Sequence, residues 1–173
     1  LDVRLRIAGP GDEHALALVA SAAFLETYAH IIPGADLVHH CQTRHTAAVY
    51  AAWLGESDVT IWLAETALGS PAGYLVLTQA TLPLGAARPG DREVQRIYVL
   101  SRYHGTGLGH ALMQLAIDKA RSLGAERLVL GVHNDNNRAL AFYAREGFAI
   151  IDKRQFHVGL SVCCDSVLAQ DLR

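Results

Sequence analysis

The run Arg102-Tyr103-His104-Gly105-Thr106-Gly107-Leu108-Gly109-His110 constrains this chain more than any other stretch. It carries glycine at alternate positions between a strand-like segment and a helix-like one. Glycine lets backbone approach a ligand closely and accepts left-handed dihedrals. The first amides of a helix have no internal partners, and the helix dipole there is positive. The arrangement is a pyrophosphate cradle by its own physics. A tight turn without a ligand is the plainer alternative, but a single glycine would suffice for it. A P-loop needs Gly-Lys-Ser/Thr after four intervening residues, and no Lys follows here. A dinucleotide fingerprint needs a third glycine where His110 stands. Both fail on spacing.

The elements around this loop follow from periodicity. Val3 to Ala8 alternates as a half-buried strand does, and Asp12 is a plausible N-cap for a helix carrying Leu16 and Val19. A second helix is predicted from near Asp36 to Leu54, with Gly55 as its stop. Val59–Ala64, Gly73–Thr78 and Glu93–Leu100 read as strands, with a Gly/Pro-punctuated loop from Ala80 to Asp91. A helix opened by Gly105 runs to Leu123-Gly124, with Lys119 and Arg121 suiting its C-terminal dipole. A strand at Arg127–Val132, a helix at Asn136–Glu146 and strands at Phe148–Ile151 and Phe156–Leu168 complete the order. No internal repeat or linker is visible, so residues 1–173 read as a single domain.

Composition narrows the function classes. The 51% hydrophobic and 18% charged content excludes disorder. With 15 basic against 17 acidic residues, nothing favours a nucleic-acid partner or a membrane-surface anchor. The charge-free stretch Thr66–Ala87 is too rich in Gly and Pro for a membrane span. The start, Leu1-Asp2-Val3-Arg4, has no secretory pattern and no initiator Met. Cys41, Cys163 and Cys164 form no disulfide framework, so a reduced, cytoplasmic protein is expected. His39, His40, Cys41 and His45 lack a further ligand at metal spacing, and a solvated helix face is the better reading; no metal is expected. Trp53 and Trp62 read as core.

With these residues in hand, the sequence resembles the GNAT superfamily of N-acetyltransferases. That family's acyl-CoA loop, Arg/Gln-x-x-Gly-x-Gly/Ala, is matched by Arg102, Gly105 and Gly107, with Gly109 extending it. A second block, Asn-x-x-Ala-x-x-Phe/Leu-Tyr-x-x-x-Gly-Phe, is matched by Asn136, Ala139, Phe142, Tyr143, Gly147 and Phe148. The resemblance is good from about Ile61 to Leu172, and the first 60 residues share only a strand and helices with the family.

The resemblance implies a mixed α/β (α+β) fold, the GNAT fold, with a central sheet of about seven strands and four helices. Strands 4 and 5 would splay to admit acyl-CoA. It implies acetyl transfer from acetyl-CoA to a primary amine of a small molecule or peptide, by direct attack. A non-catalytic acyl-CoA-binding regulatory module is the alternative. The diphosphate would lie on the turn formed by His104, Gly105, Thr106, Gly107, Leu108, Gly109 and His110, introduced by Arg102. The CoA arm would lie along Tyr98 and Val99, near Asn136, Ala139 and Tyr143, with main chain near Val99 holding the thioester oxygen. Tyr143 matches the family's usual acid. Glu93 aligns with a carboxylate that some members use as base, or is an exposed residue at a strand start. Glu26, Tyr28, His30 and Asp36 lie where the family puts its acceptor wall, or serve ordinary helix ends. Pairing of two copies through the last strands is a family habit, so a homodimer is an open expectation.

Overall fold

A computed structural model describes residues 2–82 and 87–173. Residues 83–86, inside the expected Ala80–Asp91 loop, and residue 1 lie outside the described part. The elements are β1 (Val3–Ile7), α1 (Glu13–Tyr28), α2 (Gly34–Arg44), α3 (Ala47–Leu54), β2 (Thr60–Thr66), β3 (Pro71–Gln79) and β4 (Arg92–Val99). A 3-10 turn at Ser101–Tyr103 leads to α4 (Leu108–Ser122), β5 (Arg127–His133), α5 (Asn137–Arg145), β6 (Ala149–Val158) and β7 (Ser161–Asp171). They build one mixed sheet in the order β1-β2-β3-β4-β5-β7-β6. This is the GNAT arrangement expected from the sequence.

Two layers of helix cover the sheet. On one face α4 packs Leu112, Met113 and Ala116 against Leu75, Leu77, Val94 and Leu130, and α5 adds Tyr143 beside Phe148. On the other, α1 places Leu16, Val19 and Ala20 against Tyr74, Val76 and Leu63. Each such fully buried aliphatic side chain contributes about 1.5–3 kcal/mol. The end of α1 and α2 extend that second layer toward β6 and β7 through Phe24, Tyr28, Leu37 and Val158.

The sheet is interrupted in its middle. β4 and β5 run parallel but pair only at Arg92↔Leu128 and Glu93↔Val129. Beyond Glu93 the two strands part, as expected for a cleft admitting an extended ligand. On its other side β4 stays paired to β3, with a bulge: Val76 faces Arg96 and Leu77 faces Val94, leaving Gln95 extra. A bulge bends the strand and re-aims its side chains.

Three expected boundaries are corrected. The helix foreseen from Asp36 to Leu54 is two helices. The chain leaves helical geometry at His45 and restarts at Thr46, whose Oγ1 accepts a hydrogen bond from the Val49 amide at 3.3 Å. The final strand foreseen from Phe156 is a hairpin, β6 to β7, turning at Gly159-Leu160. Gly159 has φ +58°, and a Cβ there would collide with the Asp36 carboxylate, so only glycine fits. The helix foreseen from Gly105 starts at Leu108. Asp12 sits at the start of α1, but its carboxylate is spent elsewhere: it accepts from Arg6 Nη1 and Nη2, each at 2.7 Å, and from the Gly9 amide at 2.8 Å.

Candidate active site

The glycine turn sits at the open end of the β4–β5 gap. Gly105 (φ +76°) and Gly107 (φ +88°) are left-handed, and no heavy atom lies within 4 Å of a Cβ added at either. Their conformation, not crowding, demands glycine. Thr106 Oγ1 donates to the Tyr103 carbonyl at 2.8 Å, and the His104 imidazole Nε2 lies 2.7 Å from the Val99 carbonyl. These two bonds fold the turn back onto the end of β4. The first backbone bond of α4 runs from the Ala111 amide to the Gly107 carbonyl. Among the described residues, the amides from Gly105 to His110 therefore have no acceptor. A run of unpaired N–H groups at the positive end of a helix has the chemistry to hold an anion.

Strand geometry adds a second feature. The Leu100 amide bonds the Ala72 carbonyl on β3. Successive residues of a strand direct their N–H and C=O groups to opposite edges. Val99 therefore turns its main chain toward the gap left by β5. Its carbonyl is taken by His104, and its N–H remains for a ligand. Gly73 lies opposite, with the Tyr98 carbonyl only 2.9 Å from where a Cβ would stand, so β3 and β4 are in close backbone contact there.

The residues foreseen for the cofactor divide into main-chain and side-chain contributors. Leu108 is buried in the core, and the Nδ1 of His110 lies 3.0 Å from both Glu146 carboxylate oxygens, so both offer only amides to the turn. Tyr98 turns its ring to the α1 side, stacked on Tyr74 at 6.1 Å. Arg102 is exposed at the turn. Asn136 caps α5, its Oδ1 accepting from the Ala139 amide at 3.1 Å. Gly109 lets α4 approach α5, its missing Cβ lying 3.6 Å from the Phe142 ring.

Tyr143 is buried against Phe142 and Phe148, and burial pushes its phenol above the ordinary range, with Tyr28 adding to the effect. Tyr28 belongs to the opposite helical layer. Among the described residues the Tyr143 hydroxyl has no hydrogen-bond partner in the protein. Glu93 is buried, not exposed. Its Oε2 accepts from the Thr81 amide at 2.7 Å and from Thr81 Oγ1 at 3.0 Å, and that hydroxyl lies 3.5 Å from Gln95 Oε1. Glu93 stands at the paired end of β4–β5 and reaches the cavity described next only through Thr81 and Gln95.

That cavity, of about 100 Å³, opens on the α1 side of the gap. Its floor includes Gln95, Arg96 and Tyr98 of β4, and its roof includes Tyr28, His40 and His45. Of the expected acceptor wall, Tyr28 lies here. Glu26 instead accepts from the Ser101 amide at 2.8 Å and from Ser101 Oγ at 3.0 Å. Asp36 accepts from the Leu160 amide at 2.9 Å and from Ser161 Oγ at 2.5 Å. Both carboxylates fasten the fold. His30 is exposed.

The histidines are a correction. His40 and His45 are not on a solvated face: they are buried, His40 stacked on Phe24 at 4.4 Å. Burial, helped by Arg96, lowers His40 to about 4 and His45 to about 2, so both are neutral. Among the described residues no cluster of His, Cys, Asp and Glu fits a metal ion.

Residues 25–148 match the Acetyltransferase (GNAT) family. The chain belongs to that family. An uncharacterised N-acetyltransferase of Mycobacterium tuberculosis is 42% identical over 82 residues, covering 47% of this chain and 53% of the relative. A mycothiol acetyltransferase of Corynebacterium glutamicum is 40% identical over 113 residues, covering 63% of this chain and 34% of the relative. The chain thus spans about half the length, or less, of these curated relatives. In overall fold this GNAT domain resembles the PaiA N-acetyltransferase of Thermoplasma acidophilum, solved in complex with coenzyme A. The TM-score is 0.81 at 19% identity, over 99% of each chain. Among the described residues of this GNAT chain, no helix is long and apolar enough to cross a membrane.

Proposed function

We propose that this GNAT domain moves an acetyl group from acetyl-CoA to a primary amine of a small molecule or peptide, by direct attack in a ternary complex. The observation that carries this reading is the unpaired amide run from Gly105 to His110, set beside the parted strands β4 and β5. The coenzyme A complex of the Thermoplasma protein, which shares the fold, supports it. The free thiols of Cys41, Cys163 and Cys164 suit a reducing compartment such as the cytoplasm.

Bound acetyl-CoA supplies the activated acetyl group. The chain's own groups divide the remaining work. The turn amides hold the diphosphate, and the free main-chain edge of β4 holds the arm as an added strand. The Val99 N–H faces the thioester oxygen and stabilises charge developing there. Tyr143 gives a proton to the departing thiolate, since its raised phenol stays protonated throughout the working pH range. An amine with a reference pKa near ~10.4 arrives charged and must lose a proton first. We assign removal of that proton to Glu93 through a water, because Thr81 and Gln95 separate its carboxylate from the cavity.

Two measurements test this. Calorimetric titration should give saturable acetyl-CoA binding, and thiol release should follow addition of a suitable amine; absence of binding ends the reading. Glu93→Gln can keep both bonds to Thr81, so the melting temperature should hold while kcat/KM at neutral pH falls about 10-fold or more. An unchanged pH–rate profile in that variant would remove Glu93 from the proton path.

A further inference from the structure

Arg96 has an unusual place for a cation. It lies mid-strand on β4, directly after the bulge, and its guanidinium covers the Trp53 ring at 4.6 Å and the Tyr50 ring at 5.5 Å. Its Nη1 donates to the Tyr50 hydroxyl at 2.7 Å and lies 3.1 Å from His45 Nδ1. These partners are neutral. Tyr50 is held protonated by burial, and its hydroxyl donates to Tyr74 at 2.9 Å. Among the described residues no carboxylate pairs with Arg96; its oxygen partners are the neutral hydroxyls of Tyr50 and Tyr74.

Two other partly buried arginines have carboxylate partners. Arg6 is paired with Asp12 and Glu65, and Arg154 with Asp165. A desolvated cation without a counter-charge is costly unless a ligand supplies one. The same cavity adds donors. A guanidinium only donates, so its bond to His45 Nδ1 puts the His45 proton on Nε2. That Nε2 is buried without an acceptor. Arg44 is exposed at the rim of the cavity and has no carboxylate partner among the described residues. Asp165, the acidic group lining this cavity, is occupied by Arg154 at 3.3 Å.

We infer that the acceptor is an amino carboxylate, whose carboxylate supplies the counter-charge Arg96 lacks while its amine faces the β4–β5 gap. The planar fork matches a carboxylate bidentately, and a cavity of about 100 Å³ suits a group of that size. Arg96 and Tyr98 share a face of β4, two residues apart, so Tyr98 and the gap beyond it lie within reach of a small amino acid's amine. The inference rests on the acetyl-transfer reading and names its acceptor class.

Thiol release should be compared across matched pairs, each amino acid against its amide and its alcohol. The carboxylate member should be favoured in kcat/KM by roughly 30-fold or more, since removing one partner of a desolvated charge pair has effects of that size. Arg96→Gln should abolish the preference. Because that buried site also supports the fold, Arg44→Gln at the exposed rim provides the second variant. It should raise KM for carboxylate acceptors several-fold, more at low salt, and leave their amides unaffected. Equal kcat/KM within the pairs, or turnover of neutral amines alone, overturns the carboxylate assignment and leaves acetyl transfer standing. Failure to bind acetyl-CoA at all overturns acetyl transfer itself.

Discussion

Tyr143→Phe is expected to lower kcat about 100-fold or more, the usual scale for a lost general acid, while acetyl-CoA affinity stays unchanged. The substitution removes one oxygen and keeps the ring that packs between Phe142 and Phe148. The hydroxyl has no partner among the described residues, so its removal strands no buried donor or acceptor, and the melting temperature should be preserved. The phenol sits above its ordinary range and above a free thiol, so proton transfer should be late, coupled to loss of the proton from the new ammonium. Single-turnover thiol release and calorimetry on the same variant separate the possibilities. A domain that only senses acyl-CoA has no turnover in the wild type. An enzyme whose kcat survives the change does not use Tyr143 as its acid.

Acidification from pH 7 to pH 5 is expected to cost the fold about 4 kcal/mol through His40 and His45 alone. The unfolded chain protonates these side chains near 6.5, whereas the folded chain holds His40 to about 4 and His45 to about 2. Between those limits the unfolded state binds more protons, so stability is complete above about 6.5 and drains away as pH falls. Each histidine contributes about 1.4 kcal/mol per pH unit in that window. For a domain of this size the loss is about 10 °C in melting temperature. Asp12 and Glu65, held low by Arg6, act in the same direction but below this window. Asp165, raised by burial, works the other way. Melting at pH 7, 6 and 5 checks the slope, and His40→Gln should roughly halve it. A flat profile would mean that the imidazoles accept protons in the folded state.

The anion turn and the Asn136–Phe148 block were legible because their chemistry demands particular residue types at fixed spacing. Gly105 and Gly107 need left-handed dihedrals, and Asn136 needs a short side chain to cap α5. The cavity beneath α1 and α2 was not legible. His40 and His45 are five apart, which on one continuous helix puts them about 140° apart. They converge only because the chain breaks at His45 and restarts at Thr46. The apolar run through Ala47–Leu54 gave no hint of that break. Arg96 was visible as a cation inside a strand, but its meaning depends on Trp53, Tyr50 and His45, which come from a different helix and its flank. Glu26 and Asp36 looked like acceptor ligands because helix ends attract carboxylates for either purpose. Only their bonds to Ser101, Leu160 and Ser161 decide between the two.

The parting of β4 from β5 bears on how such proteins can diverge. The gap offers peptide groups, and every residue but proline presents the same ones. Substitutions along both strands can accumulate there without erasing the slot, so long as the helices behind still pack. Identity of 19% alongside a TM-score of 0.81 to the Thermoplasma protein shows how far sequence can drift while this fold is kept. Under the acetyl transfer proposed above, a change of acceptor would then be confined to the layer of α1 and α2, away from the gap between β4 and β5.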